Sequence, residues 1–384
     1  MRFEFATAAR ILFGPGTLAE AAPAARQMGR RALVVTGRTA ARAARLLEPL
    51  AREGVEAVCF PTPGEPTVDL VRQGARLARE QACDLVIAFG GGSAIDAAKA
   101  IAALAANEGD VLDYLEVVGQ GRPLTKPSLP FIAIPTTAGT GSEVTRNAVL
   151  ASTEHKVKAS LRSPFLLARL ALIDPELTYD LPPAVTATSG LDALTQLIEP
   201  YVSVRRSPLI DPLCLDGIRR IARSLPRAFR NGGDREARLE MSLASLFSGL
   251  ALANAGLGAV HGLAAVIGGA FPAPHGAVCA ALLAPVIEAN IRALRARSPE
   301  SDALGRYQEI AAILTGSPEA APEEAAQAVR RLCRELAMPP LSAYGLQPSD
   351  LPAIAAAGLR SNSMKANPVP LELDELITAL AAAL

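Results

Sequence analysis

Asp84-Leu-Val-Ile-Ala-Phe89-Gly90-Gly91-Gly92-Ser93-Ala-Ile-Asp96-Ala-Ala-Lys99 is the stretch that decides the fold of the first half of this chain. A continuous apolar run predicts a strand buried on both faces, and the small, apolar sequence from Ala94 to about Ala106 predicts a helix. Between them, three glycines allow a pyrophosphate to approach the backbone closely and permit positive φ. Ser93 is expected to cap the helix, with Asp96 at its third position as in a capping box. The helix N-terminus would offer amide donors and partial positive charge to a phosphate. Taken alone, the loop reads equally well as a plain strand-to-helix turn.

Outward from this stretch the same alternation repeats. Residues 32–36 and 56–60 predict strands, followed by helical patterns from about Thr39 to Glu53 and from about Val68 to Gln81. Pro130–Pro135 is another apolar run, Asn147–Ser152 and Lys158–Leu161 suit a hairpin, and Leu170–Ile173 gives a last strand. Apolar runs alternating with helices imply a parallel sheet covered on both faces. After Leu181-Pro182-Pro183 the pattern becomes helical to Leu384. The expected organisation is therefore an α/β domain over 1–180 and an all-α domain over 181–384, since 384 residues exceed one ordinary core.

Composition narrows the function. Lys plus Arg equals Asp plus Glu at 38 each, so no global charge favours nucleic acid or an anionic membrane surface. The five cysteines are scattered and form no CxxC pair, which argues against a disulfide framework. No signal pattern and no membrane-length apolar run is read, so a soluble cytoplasmic protein is expected.

Pro135-Thr136-Thr137-Ala-Gly139-Thr140-Gly141-Ser142-Glu143-Val-Thr145 is a second loop at a strand end, with hydroxyls and amides suited to ribose and phosphate. Two such loops at the carboxyl ends of parallel strands fit a dinucleotide crevice. In the second half, His261 and His275 are two of only three histidines. Imidazole is the commonest side-chain metal ligand, and a carboxylate to match would come from Asp192. Cys279, four residues after His275, reads as core packing among small residues, with a soft metal ligand as the alternative; Lys99 reads as a surface or helix-packing lysine rather than a catalytic one, and His155 as a solvated hairpin-tip residue.

These motifs, together with Phe13-Gly-Pro-Gly16, Ile173-Asp-Pro-Glu-Leu-Thr178, Gly190-Leu-Asp-Ala-Leu194 and Pro274-His-Gly276, occur in an order that resembles the iron-containing (group III) alcohol dehydrogenases. That family is related to glycerol dehydrogenases and dehydroquinate synthases. The resemblance implies a dehydroquinate synthase-like architecture: a dinucleotide-binding α/β domain, a helical domain, and a metal in the cleft between them. It implies that Gly91, Gly92, Ser93 and Asp96 hold the pyrophosphate and that Thr136, Thr137 and Thr140 line the cofactor site. Asn147 and Lys158 would lie near ribose or phosphate, and Asp192, His261 and His275 match the family's metal ligands. A homodimer or larger assembly is the family's common state.

The chain departs from the family pattern at three places. Gln196 stands where a histidine usually follows the metal aspartate by one helical turn; a neutral amide oxygen is a weaker donor than imidazole. Either Gln196 ligates, or water replaces it, or the site is empty; the expected metal is Fe(II), with Zn(II) as the alternative. Ala265 stands where many members have a further histidine that helps move a proton, so the proton must travel through water, cofactor hydroxyls or another residue. Gly37 and Arg38 replace the acidic residue that favours NAD, which points to NADP or dual use.

The expected reaction is hydride transfer between a nicotinamide and a small alcohol or its aldehyde or ketone, with Ala265, Val266 and Phe271 lining an apolar pocket. Three rivals stand beside it. One is a metal-independent reductase of a carboxylated substrate, resembling maleylacetate reductases. Another is a sugar-phosphate cyclase, against which the scarcity of histidine speaks. The last is a nucleotide-binding protein without catalysis.

Overall fold

A computed structural model describes residues 2–38, 40–155 and 157–384. The chain divides into two compact units. One comprises Phe5–Thr137 and Gly141–Tyr179; the other comprises Asp180–Leu384 with Ala138–Thr140 and the first residues up to Glu4.

The α/β unit contains the strands β1 (Ile11–Phe13), β2 (Arg31–Thr36), β3 (Glu56–Pro61), β4 (Leu85–Gly90), β5 (Phe131–Pro135), β6 (Asn147–Ser152), β7 (Val157–Arg162) and β8 (Leu170–Ile173). Its helices are α1 (Ala21–Met28), α2 (Ala44–Arg52), α3 (Val68–Glu80), α4 (Gly92–Ala106) and the one-turn α5 (Val111–Tyr114). Six strands form one parallel sheet in the order β1-β8-β5-β4-β2-β3, and β6 pairs with β7 in a separate antiparallel hairpin. The apolar runs are continuous because both faces are covered. Ala32, Val34, Leu85, Ile87 and Ile132 join a core with Ala21, Ala25, Leu46 and Leu50, whereas Leu33, Val35, Val86 and Ala88 are buried on the opposite face, where α4 packs.

The chain runs outward from β2 to β3, then returns to place β4 on the other side of β2. Strand order thus reverses between β2 and β4, the position at which open α/β sheets form a crevice beyond their carboxyl ends. Registers Thr36↔Phe89 and Gly90↔Pro135 bring three loops out at that same edge.

Several local expectations need correction. The sequence gives no signal for β1, which has only three half-buried residues and pairs with β8 at the sheet edge. The helix expected from Thr39 begins with a 3-10 turn, Ala40–Ala43, before α2; Thr39 itself lies outside the described residues. Helix α4 starts at Gly92 with Gly91 as N-cap, so Ser93 is inside its first turn and forms no cap. Among the glycines of that loop none has positive φ. Gly90 is instead required by space, because a Cβ there would lie 2.6 Å from Ala94 Cβ and 3.1 Å from the Gly37 nitrogen.

The second unit is helical: α6 (Pro183–Val202), α7 (Asp211–Arg230), α8 (Arg235–Ala255), α9 (Ala259–Ala270), α10 (His275–Arg297), α11 (Asp302–Thr315), α12 (Glu324–Glu335), α13 (Leu351–Leu359) and α14 (Leu373–Ala381). Pro183 opens α6 at a position where a missing amide hydrogen costs nothing. Helices α8 and α9 meet at a bend of 100° across Gly256, whose φ of 73° ends α8. Helix α10 is long and apolar enough to cross a membrane, yet it is mostly buried within the protein, as a core helix is. It packs on α6, α9, α12 and α14.

Candidate active site

Helix α6 supplies Asp192, Gln196 and Glu199, which fall on one face because they are separated by four and three residues. His261 is in the first turn of α9, just after the bend, and His275 is the first residue of α10, preceded by Pro274. Gly276 lets that first turn close on α6: a Cβ there would lie 2.2 Å from the Thr188 carbonyl oxygen. Any larger residue would push His275 away from Asp192.

The resulting cluster joins Asp192, His261, His275 and Cys279, whose ligand atoms all lie within 4.8 Å of one another. Asp192 Oδ1 is 3.4 Å from His261 Nε2 and 3.6 Å from His275 Nε2. Yet this buried oxygen has no hydrogen-bond partner of good geometry. Cys279 Sγ lies 3.8 Å from His261 Nε2 and 3.7 Å from His275 Nε2. The thiol expected to be core packing is therefore turned towards both imidazoles.

Glu199, not singled out by sequence reading, fixes one of these rings. Its Oε2 is 2.6 Å from His261 Nδ1, and its Oε1 accepts the Val260 amide at 2.7 Å. A carboxylate on Nδ1 holds the proton there and turns the Nε2 lone pair into the cluster, the arrangement that commonly supports a metal-ligating histidine. The available signal was its position seven residues after Asp192, two turns along the same face. Gln196 donates through Nε2 to Asp192 Oδ2 at 3.3 Å, and its Oε1 faces Ser248 Oγ at 3.1 Å.

Electrostatics match the geometry. Burial opposes ionisation of Asp192, but His275 and His261 hold its carboxyl below the ordinary range. Burial likewise pushes the Cys279 thiol up, and the same imidazoles more than reverse this. Cys279 and Asp192 raise His275 to about 9 against the cost of burial. Two acidic groups and two basic ones thus compensate each other in a buried space, and the unpartnered Asp192 Oδ1 is the type of atom that a cation satisfies. The donor set fits a divalent metal.

In the α/β unit, Gly37, Gly91, Gly92 and Ser93 gather at the carboxyl ends of β2 and β4, where no side chain caps the first turn of α4. A Cβ on Gly91 would lie 3.2 Å from Thr137 Oγ1, and the Thr136 amide donates to the Gly90 carbonyl. Arg38 is exposed, its Nε donating to the Pro63 carbonyl. Thr140 belongs to the helical unit, where the adjacent Gly139 packs against Ser189. His155 stands at the hairpin tip as expected, with Nδ1 2.8 Å from Ser152 Oγ.

Lys99 takes the helix-packing alternative, whereas Asp96 takes another place than expected. Lys99 is buried, and its ammonium donates to Ser142 Oγ, Thr145 Oγ1 and the Asn147 carbonyl at 2.8, 2.8 and 2.9 Å. Asp96 forms no capping box; its two oxygens accept from Ser142 Oγ and the Val149 amide. Together they tie the Ser142–Asn147 segment to α4. Lys158 pairs with Glu65 at 3.1 Å.

The profile described as "Iron-containing alcohol dehydrogenase" matches residues 8–175, and the one described as "Fe-containing alcohol dehydrogenase family, C-terminal" matches residues 186–384. The chain belongs to the iron-containing alcohol dehydrogenase family. Alcohol dehydrogenase 4 of Saccharomyces cerevisiae (strain ATCC 204508 / S288c) is 36% identical to it over 376 residues, covering 96% of this chain and 95% of the yeast protein. The 1,3-propanediol dehydrogenase of Klebsiella pneumoniae is 37% identical over 329 residues, covering 83% and 81%. A crystal structure of a 1,3-propanediol oxidoreductase superposes with a TM-score of 0.91 at 32% identity, covering both chains completely. This iron-containing alcohol dehydrogenase therefore has the dehydroquinate synthase-like fold and is a metal-dependent oxidoreductase that interconverts an alcohol with its aldehyde or ketone using a nicotinamide cofactor.

Proposed function

We propose that Asp192, His261 and His275 hold the metal, Fe(II) or Zn(II), and that the loops after β2, β4 and β5 bind NADP or NAD. The observation that carries the metal assignment is the buried, unpartnered Asp192 Oδ1 facing two imidazole Nε2 atoms. Bound there, a divalent ion supplies Lewis-acid polarisation of the substrate oxygen. Glu199 keeps the His261 proton on Nδ1 and the ring in one orientation. His275, at 33% side-chain exposure against 3% for Asp192, marks the open side of the site and hence the approach of the substrate.

Small alcohols and aldehydes are the substrate class. Ala265, Val266 and Phe271, one to three turns beyond His261, are partly buried and present no charge to bind a carboxylate. For the nucleotide, Gly91, Gly92, Ser93, Thr136 and Thr137 would meet the phosphates and ribose, and Thr140, Asn147 and Lys158 would complete the set. Asp96 would act through Ser142 rather than by contact, because both its oxygens are already engaged. Gly37 leaves open space beside β2, and Arg38 is a cation at the same strand end, which supports NADP or dual use.

The test is reduction of a panel of short aldehydes with NADPH and NADH before chelation, after it, and after return of Fe(II) or Zn(II). Loss with chelator and recovery with metal is expected, with NADPH accepted at least as well as NADH. Reduction that survives removal of all metal would support the metal-independent reductase instead.

A further inference from the structure

We propose that Cys279 is the fourth protein ligand of this metal, bound as thiolate, in the role for which the family pattern has a histidine where this chain carries Gln196. The inference rests on the metal reading above and deepens it.

Four ligands on one tetrahedral centre, with bonds of about 2.0–2.2 Å to nitrogen or oxygen and about 2.3 Å to sulfur, sit about 3.4 Å apart for N–O edges and about 3.6 Å for N–S edges. The N–O separations here are 3.4 and 3.6 Å, and the N–S separations are 3.8 and 3.7 Å. Sulfur stands slightly farther out, as its longer bond requires. The position four residues after His275 is one helical turn along α10, so both side chains leave the same face. Cys279 is fully buried, and its sulfur faces two imidazoles in a helix whose other buried side chains are aliphatic apart from Asn290.

Gln196 is engaged elsewhere. Its amide nitrogen is on Asp192 Oδ2 and its oxygen faces Ser248, so it orients the aspartate from behind. On binding, the Cys279 S–H bond would break, the proton would leave to solvent, and the sulfur lone pair would form the metal bond. Thiolate in the set suits Zn(II) and Co(II), and Co(II) is therefore a suitable probe.

The metal-free full chain would be titrated with Co(II) while its absorption spectrum is recorded. The parent is expected to show visible cobalt bands together with intense near-ultraviolet sulfur-to-cobalt charge transfer. Cys279→Ser and Cys279→Ala, checked for folding by circular dichroism, should lose the charge transfer and bind Co(II) weaker by at least the ~10–100-fold typical of losing a supporting partner. Gln196→Leu should keep it. Visible bands without charge transfer in the parent, or charge transfer unchanged in Cys279→Ala, would overturn the proposal. Failure of the parent to take up Co(II) at all would overturn the metal reading, and this inference with it. Should the cysteine variants not fold, X-ray absorption on the Zn(II)-loaded parent decides: a sulfur neighbour at about 2.3 Å supports the assignment and a shell of nitrogen and oxygen alone refutes it.

Discussion

Glu199 Oε2 and His261 Nδ1 are 2.6 Å apart, and both side chains are buried. This contact spans two helices, α6 and α9, and it sets which nitrogen of His261 is offered to the metal. Replacing Glu199 with Gln keeps a hydrogen-bonding group but removes the charge, and replacing it with Ala leaves the Val260 amide unsatisfied as well. Metal affinity should fall about 10–100-fold in Glu199→Gln and further in Glu199→Ala. Competition with a coloured chelator measures this; equal affinity in parent and Glu199→Gln would remove Glu199 from the site's support.

Gly276 should prove intolerant of any side chain. A Cβ 2.2 Å from the Thr188 carbonyl must displace backbone of α6 or α10. Gly276→Ala is expected to cost about 1–3 kcal/mol and to lower metal content, because His275 moves with the first turn of α10. Gly305 in α11 is the contrasting case: it is exposed and nothing lies near its Cβ position. There, Ala should stabilise by about 0.5–1 kcal/mol. Urea unfolding of the two variants should move in opposite directions.

Burial around α4 gives a pH signature. It raises Glu143 from 4.5 to about 7 against the opposing pull of its own amide and Lys99. Burial also lowers Lys99 from 10.5 to about 8, against Asp96 and Glu143. Between pH 4.5 and 7 the folded chain retains the Glu143 proton that the unfolded chain has released, so this group's contribution to stability falls as pH rises. Between pH 8 and 10.5 the unfolded chain holds a proton that folded Lys99 has lost, so the Lys99 contribution rises with pH. Glu143→Gln should therefore gain in unfolding midpoint over the parent above pH 7, with the gain shrinking towards pH 4.5. A difference independent of pH would contradict this account.

Coenzyme choice can be tested at Gly37. A carboxylate placed there would repel a 2′-phosphate and accept from a ribose hydroxyl. Gly37→Asp should lower the ratio of kcat/KM for NADPH over NADH by at least about tenfold, or 1.4 kcal/mol. An unchanged ratio would place the 2′ position elsewhere.

The sheet was largely legible because β2, β4, β5 and β8 are apolar on both faces and leave uninterrupted runs. β1 was not, since Ile11–Phe13 is too short to show a period and draws its order from pairing with β8. The start of α4 was read a residue or two late: sequence offers Ser93 as a cap, whereas the turn is made by glycines needing no side-chain oxygen. Asp192, His261 and His275 were legible through motif order. Glu199 was not, because a charged residue within a helix reads as solvent-facing until tertiary packing supplies its partner, and for Lys99 only that packing decides between the surface and helix-packing alternatives. For Cys279 the sequence offers both core packing and a soft ligand, and only tertiary packing shows its sulfur facing two imidazoles.

The measurement closest to the central claim is metal stoichiometry by elemental analysis on the parent and on Asp192→Asn, both purified without chelator. The parent should carry close to one divalent ion per chain, and Asp192→Asn, which keeps the side-chain shape but loses the anionic oxygen, should carry much less while remaining folded. Undiminished metal in Asp192→Asn, or none in the parent after exposure to Fe(II) and Zn(II), would contradict the assignment of this cluster as the metal centre.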